Sequence, residues 1–141
     1  MRERIRKFAA LPVGRKKLLF SSAAALLAAK LRLSLFGFRT ALAPQPVEPS
    51  SPCCPEEISW AIAAAARFVP WSTCLVKALA GQAMLAKRGC ASTLRIGMAP
   101  GRPNGRTLDA HAWLECEGRI LIGAHDLERY RRLLAIPSRP A

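Results

Sequence analysis

Acidic residues are scarce in this 141-residue chain: nine, against 22 Lys and Arg, which leaves a net charge of +13. An excess of that size favours acidic partners, whether nucleic acid, anionic lipid or an acidic polypeptide, although an Arg-rich genome leaves the same mark. No helix-turn-helix, zinc-finger or aromatic-stacking pattern accompanies the charge, and its clustering is mostly confined to residues 1–17, so nucleic acid is not expected as a partner. A long apolar run is also lacking. LLFSSAAALLAA, residues 18–29, is closed by Lys30 and Arg32, short of the ~20 residues a membrane span needs. The five cysteines are odd in number and irregular in spacing, which argues against a disulfide framework and for a reducing compartment. Cys53-Cys54 lack the CxxC spacing of zinc sites, so no metal is expected, and there are no internal repeats. What remains is one domain, or one small domain with an appendage, and an Ala- and Leu-rich composition, 51% hydrophobic, that favours helices.

The N-terminal 45 residues begin basic, with Arg2, Arg4, Arg6, Lys7, Arg15, Lys16 and Lys17 against Glu3 alone. A basic start before a short apolar run roughly fits a signal peptide. Apolar residues nonetheless continue through Leu31, Leu33, Leu35, Phe36 and Phe38, past any plausible cleavage point. A helical segment packed on the rest of the protein is therefore preferred, with a helix lying on a membrane surface through residues 1–40 as the second reading. Residues 46–57 are Pro-rich and read as a linker or long surface loop. Pro55-Glu56-Glu57 then opens a helix, with acids in its first turn. Ile58, Ile62, Ala65, Ala66 and Val69 repeat at helical spacing up to Pro70; Trp60, Trp71 and Trp113 are each core or groove-lining, with core preferred for Trp60.

The stretch that follows carries the chemistry. In Trp71-Ser72-Thr73-Cys74-Leu75-Val76, Ser72 or Thr73 can cap a new helix and place Cys74 in its first turn. The positive end of the helix dipole there favours a thiolate, which is the nucleophile. The helix runs to about Arg88, is apolar nearly all round and so reads as a buried rod with the thiol at its tip. Thr93–Met98, Thr107–Cys116 and Arg119–Ile122 read as three consecutive antiparallel strands, with Asn104-Gly105 suited to the first turn. Tyr130–Ile136 reads as a last helical turn or an edge segment. His111 lies on the middle strand and shares a face with Asp109, Trp113 and Glu115. A cysteine at a helix start with a histidine on a following strand is the minimal equipment of thiol acyl transfer. A buried cysteine and a core histidine, without chemistry, weigh about equally at this point.

Taken together, TCLVKALAGQAMLAKRG, LRIGMAPG and LDAHAWLECEGRILIG resemble the transglutaminase-like leader peptidase of lasso-peptide biosynthesis, in its short form without a fused leader-recognition domain. The likeness covers about residues 58–135. It implies an α+β fold: an N-terminal helical segment (1–45), the linker (46–57), and a transglutaminase-like, papain-like core (58–141) with a central buried helix on a small antiparallel sheet. It implies a cytoplasmic cysteine endopeptidase without a cofactor. Its partners would be a precursor peptide, a separate leader-recognition protein and an ATP-dependent macrolactam cyclase. Carried over by position, Cys74 is the nucleophile and His111 the general base. The family often carries an Asp about where Ile122-Gly123 stand, and neither of these can orient an imidazole through a side chain. Asp126 is the preferred substitute, with Asp109 and Glu115 as the other candidates. A catalytically silent scaffold of the same fold, binding precursor and partners, is the competing reading.

Overall fold

The computed structural model describes residues 1–48, 54–101 and 107–139. Four helices precede a four-stranded sheet: α1 (Arg2–Ala9), α2 (Val13–Ala41), α3 (Pro55–Ala66), α4 (Cys74–Lys87), β1 (Thr93–Pro100), β2 (Leu108–Cys116), β3 (Arg119–Ile122) and β4 (Arg131–Pro137). The sheet is antiparallel in the order β3-β2-β1-β4. The α+β class read from the sequence holds, with one strand more. Tyr130–Ile136, left open as a helical turn or an edge, is the edge strand β4, paired to β1 with Leu94 opposite Ile136. The Asn104-Gly105 turn and Cys53 lie outside the described residues.

Alternation sorts the sheet into two faces. Leu94, Ile96, Ala112, Leu114, Cys116 and Ile122 point to the helices and share their core with Ile58, Ile62, Val76 and Leu85. Arg95, Gly97, His111, Trp113 and Glu115 alternate to the other face, where Tyr130 covers Gly97 and Trp113 is 1% exposed. Buried residues on α4 run around most of the helix, from Val76 to Ala86, as its nearly unbroken apolarity predicts. The buried Gln82 makes the rod polar at one point, where its amide nitrogen donates to the Ile136 carbonyl at 2.9 Å and ties α4 to β4.

Pro12, which lacks an N–H and restricts the residue before it, separates α1 from α2. By length and composition α2 could cross a membrane, with a mean hydropathy of 1.5 in its most apolar window. Lys30 and Arg32 therefore limit the run less than expected. Leu18, Ser22, Leu26 and Ala29 form a buried stripe at helical spacing that seats α2 on the same core, while Phe20, Leu27, Leu31, Leu35, Phe36 and Phe38 stay exposed. The joint after α2 is pinned: the Glu48 amide donates to Ala86 O at 2.8 Å, and the Val47 amide to Arg139 O at 2.9 Å. Two readings are corrected. Trp60 is 37% exposed with the Arg15 guanidinium 4.8 Å over its ring, because Ala61 and Ile62 take the inward face of α3; the tryptophan of the core is Trp113. Cys90 is disulfide-bonded, whereas Cys54, Cys74 and Cys116 are free thiols.

The seating of α2 has a measurable consequence. Leu26→Ala, at a fully buried position, should lower the unfolding free energy by ~2–5 kcal/mol in urea titration. Leu35→Ser, at a position 70% exposed, should change it by less than ~0.5 kcal/mol.

Candidate active site

The start of α4 is set by its cap. Thr73 is extended, its hydroxyl accepts from the Val76 amide at 3.3 Å, and its carbonyl accepts from Lys77 N at 3.0 Å. Ser72, the other candidate cap, instead donates its hydroxyl to Val69 O at 2.7 Å and holds the corner at Pro70. Cys74 is therefore the first helical residue. By helix geometry, its amide and that of Leu75 have no partner within the helix, so two donors stand beside a half-buried thiol.

Cys74 opens into a cavity of about 260 Å³. Ser59, Ile62 and Ala63 of α3 form one wall, Lys77 lies one turn along from the thiol, and Leu121 to Gly123 with His125 close the far side. The far wall is fixed to α3 twice: the Ser59 hydroxyl donates to Leu121 O, and Arg119 pairs with Glu56. A larger cavity, about 650 Å³, lies between α2 and α4, with alanine walls and Arg32, Lys87 and Arg88 at its edge. It holds no thiol or imidazole, and a third cavity, about 360 Å³, holds the Cys54 thiol without an imidazole; of these three, the Cys74 cavity combines the two.

His111 is 4% exposed. Its ring lies 4.5 Å from that of His125, 5.0 Å from Tyr130 and 6.0 Å from Trp113, centroid to centroid. Its Nε2 is 2.8 Å from the carbonyl oxygen of Gly123. His111 is not among the residues lining the Cys74 cavity; the stretch from Gly123 to His125 is common to both, lining the cavity and touching His111. His125 was not singled out in the sequence. It is the only other histidine, and its place directly after β3 was the available signal.

The acids proposed to orient His111 are distributed differently. Glu115 accepts from Arg95 Nε at 2.7 Å and from the Trp113 indole at 3.1 Å. Asp109 accepts from the Tyr130 hydroxyl at 3.0 Å. Asp126 is exposed, has φ +53°, and begins the short 3-10 turn Leu127–Arg129. Burial alone would raise the Glu115 carboxyl, but the Arg95 and Trp113 bonds outweigh it and the net shift is downward. Burial also pushes the Cys116 thiol up, and its Sγ lies 3.3 Å from Ala91 O. Among the described residues no cluster of three or more His, Cys, Asp or Glu is placed to hold a metal. The arrangement is suited to nucleophilic chemistry on a carbonyl: a thiol, adjacent amide donors, and imidazoles joined to the same wall.

A profile described as the transglutaminase-like superfamily matches residues 18–135, from Leu18 within α2 to Ala135 within β4. Among curated proteins and among solved structures no match was found.

Two outcomes follow from the thiols and the carboxylate. With iodoacetamide at neutral pH and peptide mapping, Cys74 should be alkylated in the folded protein while Cys116, buried and held as the neutral thiol, reacts only at higher pH or in urea. The lowered Glu115 carboxyl stabilises the fold above its unfolded-state value of about 4.3, and this contribution is lost as pH falls through the lower folded value. Thermal melts from pH 6 to pH 3 should therefore show a shallower loss for Glu115→Gln than for the parent.

Proposed function

The chain belongs to the transglutaminase-like superfamily, and from that premise we propose that it is a cysteine endopeptidase that removes the leader from a ribosomally made lasso-peptide precursor. The superfamily has a papain-like fold and includes cysteine proteases. The observation that carries the reading is the free Cys74 at the capped start of a buried helix, opening into a cavity whose far wall also touches His111.

In this reading Cys74 is the nucleophile and His111 the general base. The proton of Sγ passes to the imidazole and the thiolate attacks the scissile carbonyl carbon. The first-turn amides beside Cys74 stabilise the oxyanion. Collapse breaks the C–N bond, the imidazolium protonates the leaving amine, and water, deprotonated by His111, then hydrolyses the thioester to free the thiol. Asp126 is the sequence's choice for an orienting acid. His125 lies 4.5 Å from the His111 ring and lines the cavity with Cys74, which makes it a second candidate to exchange a proton with the thiol. Lys77 in the cavity suits an acidic group of the peptide. The reading also carries the partners that the resemblance implies: the precursor, a separate leader-recognition protein, and a macrolactam cyclase acting on the freed N-terminus. No nucleic acid or cofactor is involved. The resemblance places the setting in the cytoplasm, against which the Cys90 disulfide speaks for an oxidising one; a membrane-surface contact through the exposed apolar side chains of residues 1–40 belongs to the same reading.

The scaffold reading draws on one observation, that no carboxylate stands at Ile122-Gly123. Mass spectrometry of leader cleavage separates the two. With precursor and leader-binding partner under reducing conditions, the parent should cut, and Cys74→Ala and His111→Ala should each lose ~10²-fold or more. His125→Gln should lose less than His111→Ala; the reverse order would make His125 the base. Binding of peptide and partner without cleavage by the parent would establish the scaffold.

A further inference from the structure

We infer that the main-chain carbonyl of Gly123 takes the place of an orienting acid and holds His111 in the tautomer protonated at Nε2, and that glycine is required there to bring the carbonyl close. The inference rests on the peptidase reading for its catalytic meaning, but its geometry stands apart from it. A carbonyl oxygen can only accept, so the nitrogen 2.8 Å from it must carry the proton. The neutral ring then has its lone pair on Nδ1, which becomes the basic atom. The bond is made at a histidine that is 4% exposed, so losing the carbonyl would leave a desolvated N–H with little access to water.

The backbone at residue 123 explains why a side chain is absent where an acid was expected. Gly123 has φ +83°, a conformation that side chains oppose. A Cβ there would lie 2.8 Å from Ala112 O and 3.2 Å from Trp113 Cα, inside contact distance of backbone that cannot swing away. Any carboxylate at this residue would push the loop off β2 and take the carbonyl with it. The acids nearby are engaged elsewhere: Asp109 with Tyr130, Glu115 with Arg95 and Trp113. Gly123 is thus a positioning residue, acting through its main chain on the imidazole.

Long-range 1H–15N correlation spectra of the full chain, with uniformly 15N-labelled protein and His111→Gln to assign the ring, read the tautomer without any need for activity. The expected result is a neutral His111 protonated at Nε2, with that proton slow to exchange. Asp126→Asn should leave this signature in place. Gly123→Ala, where it folds, should give a mixed or solvent-averaged tautomer and lower kcat by ~10-fold or more at little changed KM, a part of the ~10²–10⁴ that a general base supplies. Protonation at Nδ1 in the parent, or a tautomer that responds to Asp126→Asn, overturns the inference. If the tautomer is as expected and Cys74→Ala still cleaves the leader, the orientation stands and the peptidase reading fails.

Discussion

The close approach of α4 to the sheet governs the rest of the molecule. At Gly81 a Cβ would meet Ile122 Cδ1 at 2.5 Å and Leu114 Cδ2 at 3.0 Å, so the helix rests with its backbone almost on the side chains of β2 and β3. Close packing of this kind transmits position, because interiors tolerate little free volume. With Gly81 fixed over Ile122, the first residue of α4 is fixed relative to the end of β3 as well. That end becomes the wall of the Cys74 cavity. The thiol is held by two turns of buried helix rather than by a loop, and rigidity of that sort suits a group that must meet a carbonyl at bonding distance.

How much of this could be read beforehand differs from residue to residue. The start of α4 was legible to within a residue because capping is local chemistry: Ser72 or Thr73 before an apolar run could cap, and Thr73 is the one that does. The three strands were legible from alternation and from Gly118 in the turn. β4 was harder, since Arg131–Ile136 is exposed at most positions and has no half-buried alternation to show its period. Trp60 was misplaced because helical spacing gives an apolar face without saying which neighbour covers its rim; Arg15, 45 residues away, settles that. That Cys90 is disulfide-bonded is likewise something cysteine spacing alone does not reveal. The same limit hid His125. Its place after β3 was the one signal, and its position at the cavity becomes visible only when β3 folds back beside β2 and delivers the next residues there.

Basic charge and exposed apolar surface meet at the N-terminal end of the chain. The buried stripe of α2 belongs to the common core, yet its other side carries Phe20, Leu35 and Phe36 beyond the basic residues of α1. Exposed large apolar side chains beside positive charge are unusual for a face left to water and normal for one that meets a partner. The match of residues 18–135 to one superfamily profile includes α2. The helix is thus part of the family's domain and not only a tether, and whatever its outer face touches is mechanically continuous with the wall behind Leu79 and Met84.

The remaining question is why a thiol–imidazole site would use a carbonyl where a carboxylate is expected. An ionised carboxylate interacts with an imidazolium as charge with charge, and a carbonyl only as dipole with charge, so the carboxylate favours the imidazolium more. Orientation is a separate matter from charge: both groups accept from Nε2, and both fix the ring so that Nδ1 carries the lone pair. A site with the carbonyl therefore keeps geometry and gives up part of the electrostatics. The arrangement also resists repair by mutation. An acid at residue 123 would need a φ that side chains avoid and space that Ala112 O already fills. An acid at Ile122 would be buried beneath Gly81 on the helix face, away from His111. Backbone conformation and space at residue 123, and the direction of the side chain at residue 122, thus deny a carboxylate to both positions where the resemblance suggested one. The main-chain oxygen is the acceptor that the fold itself supplies to His111.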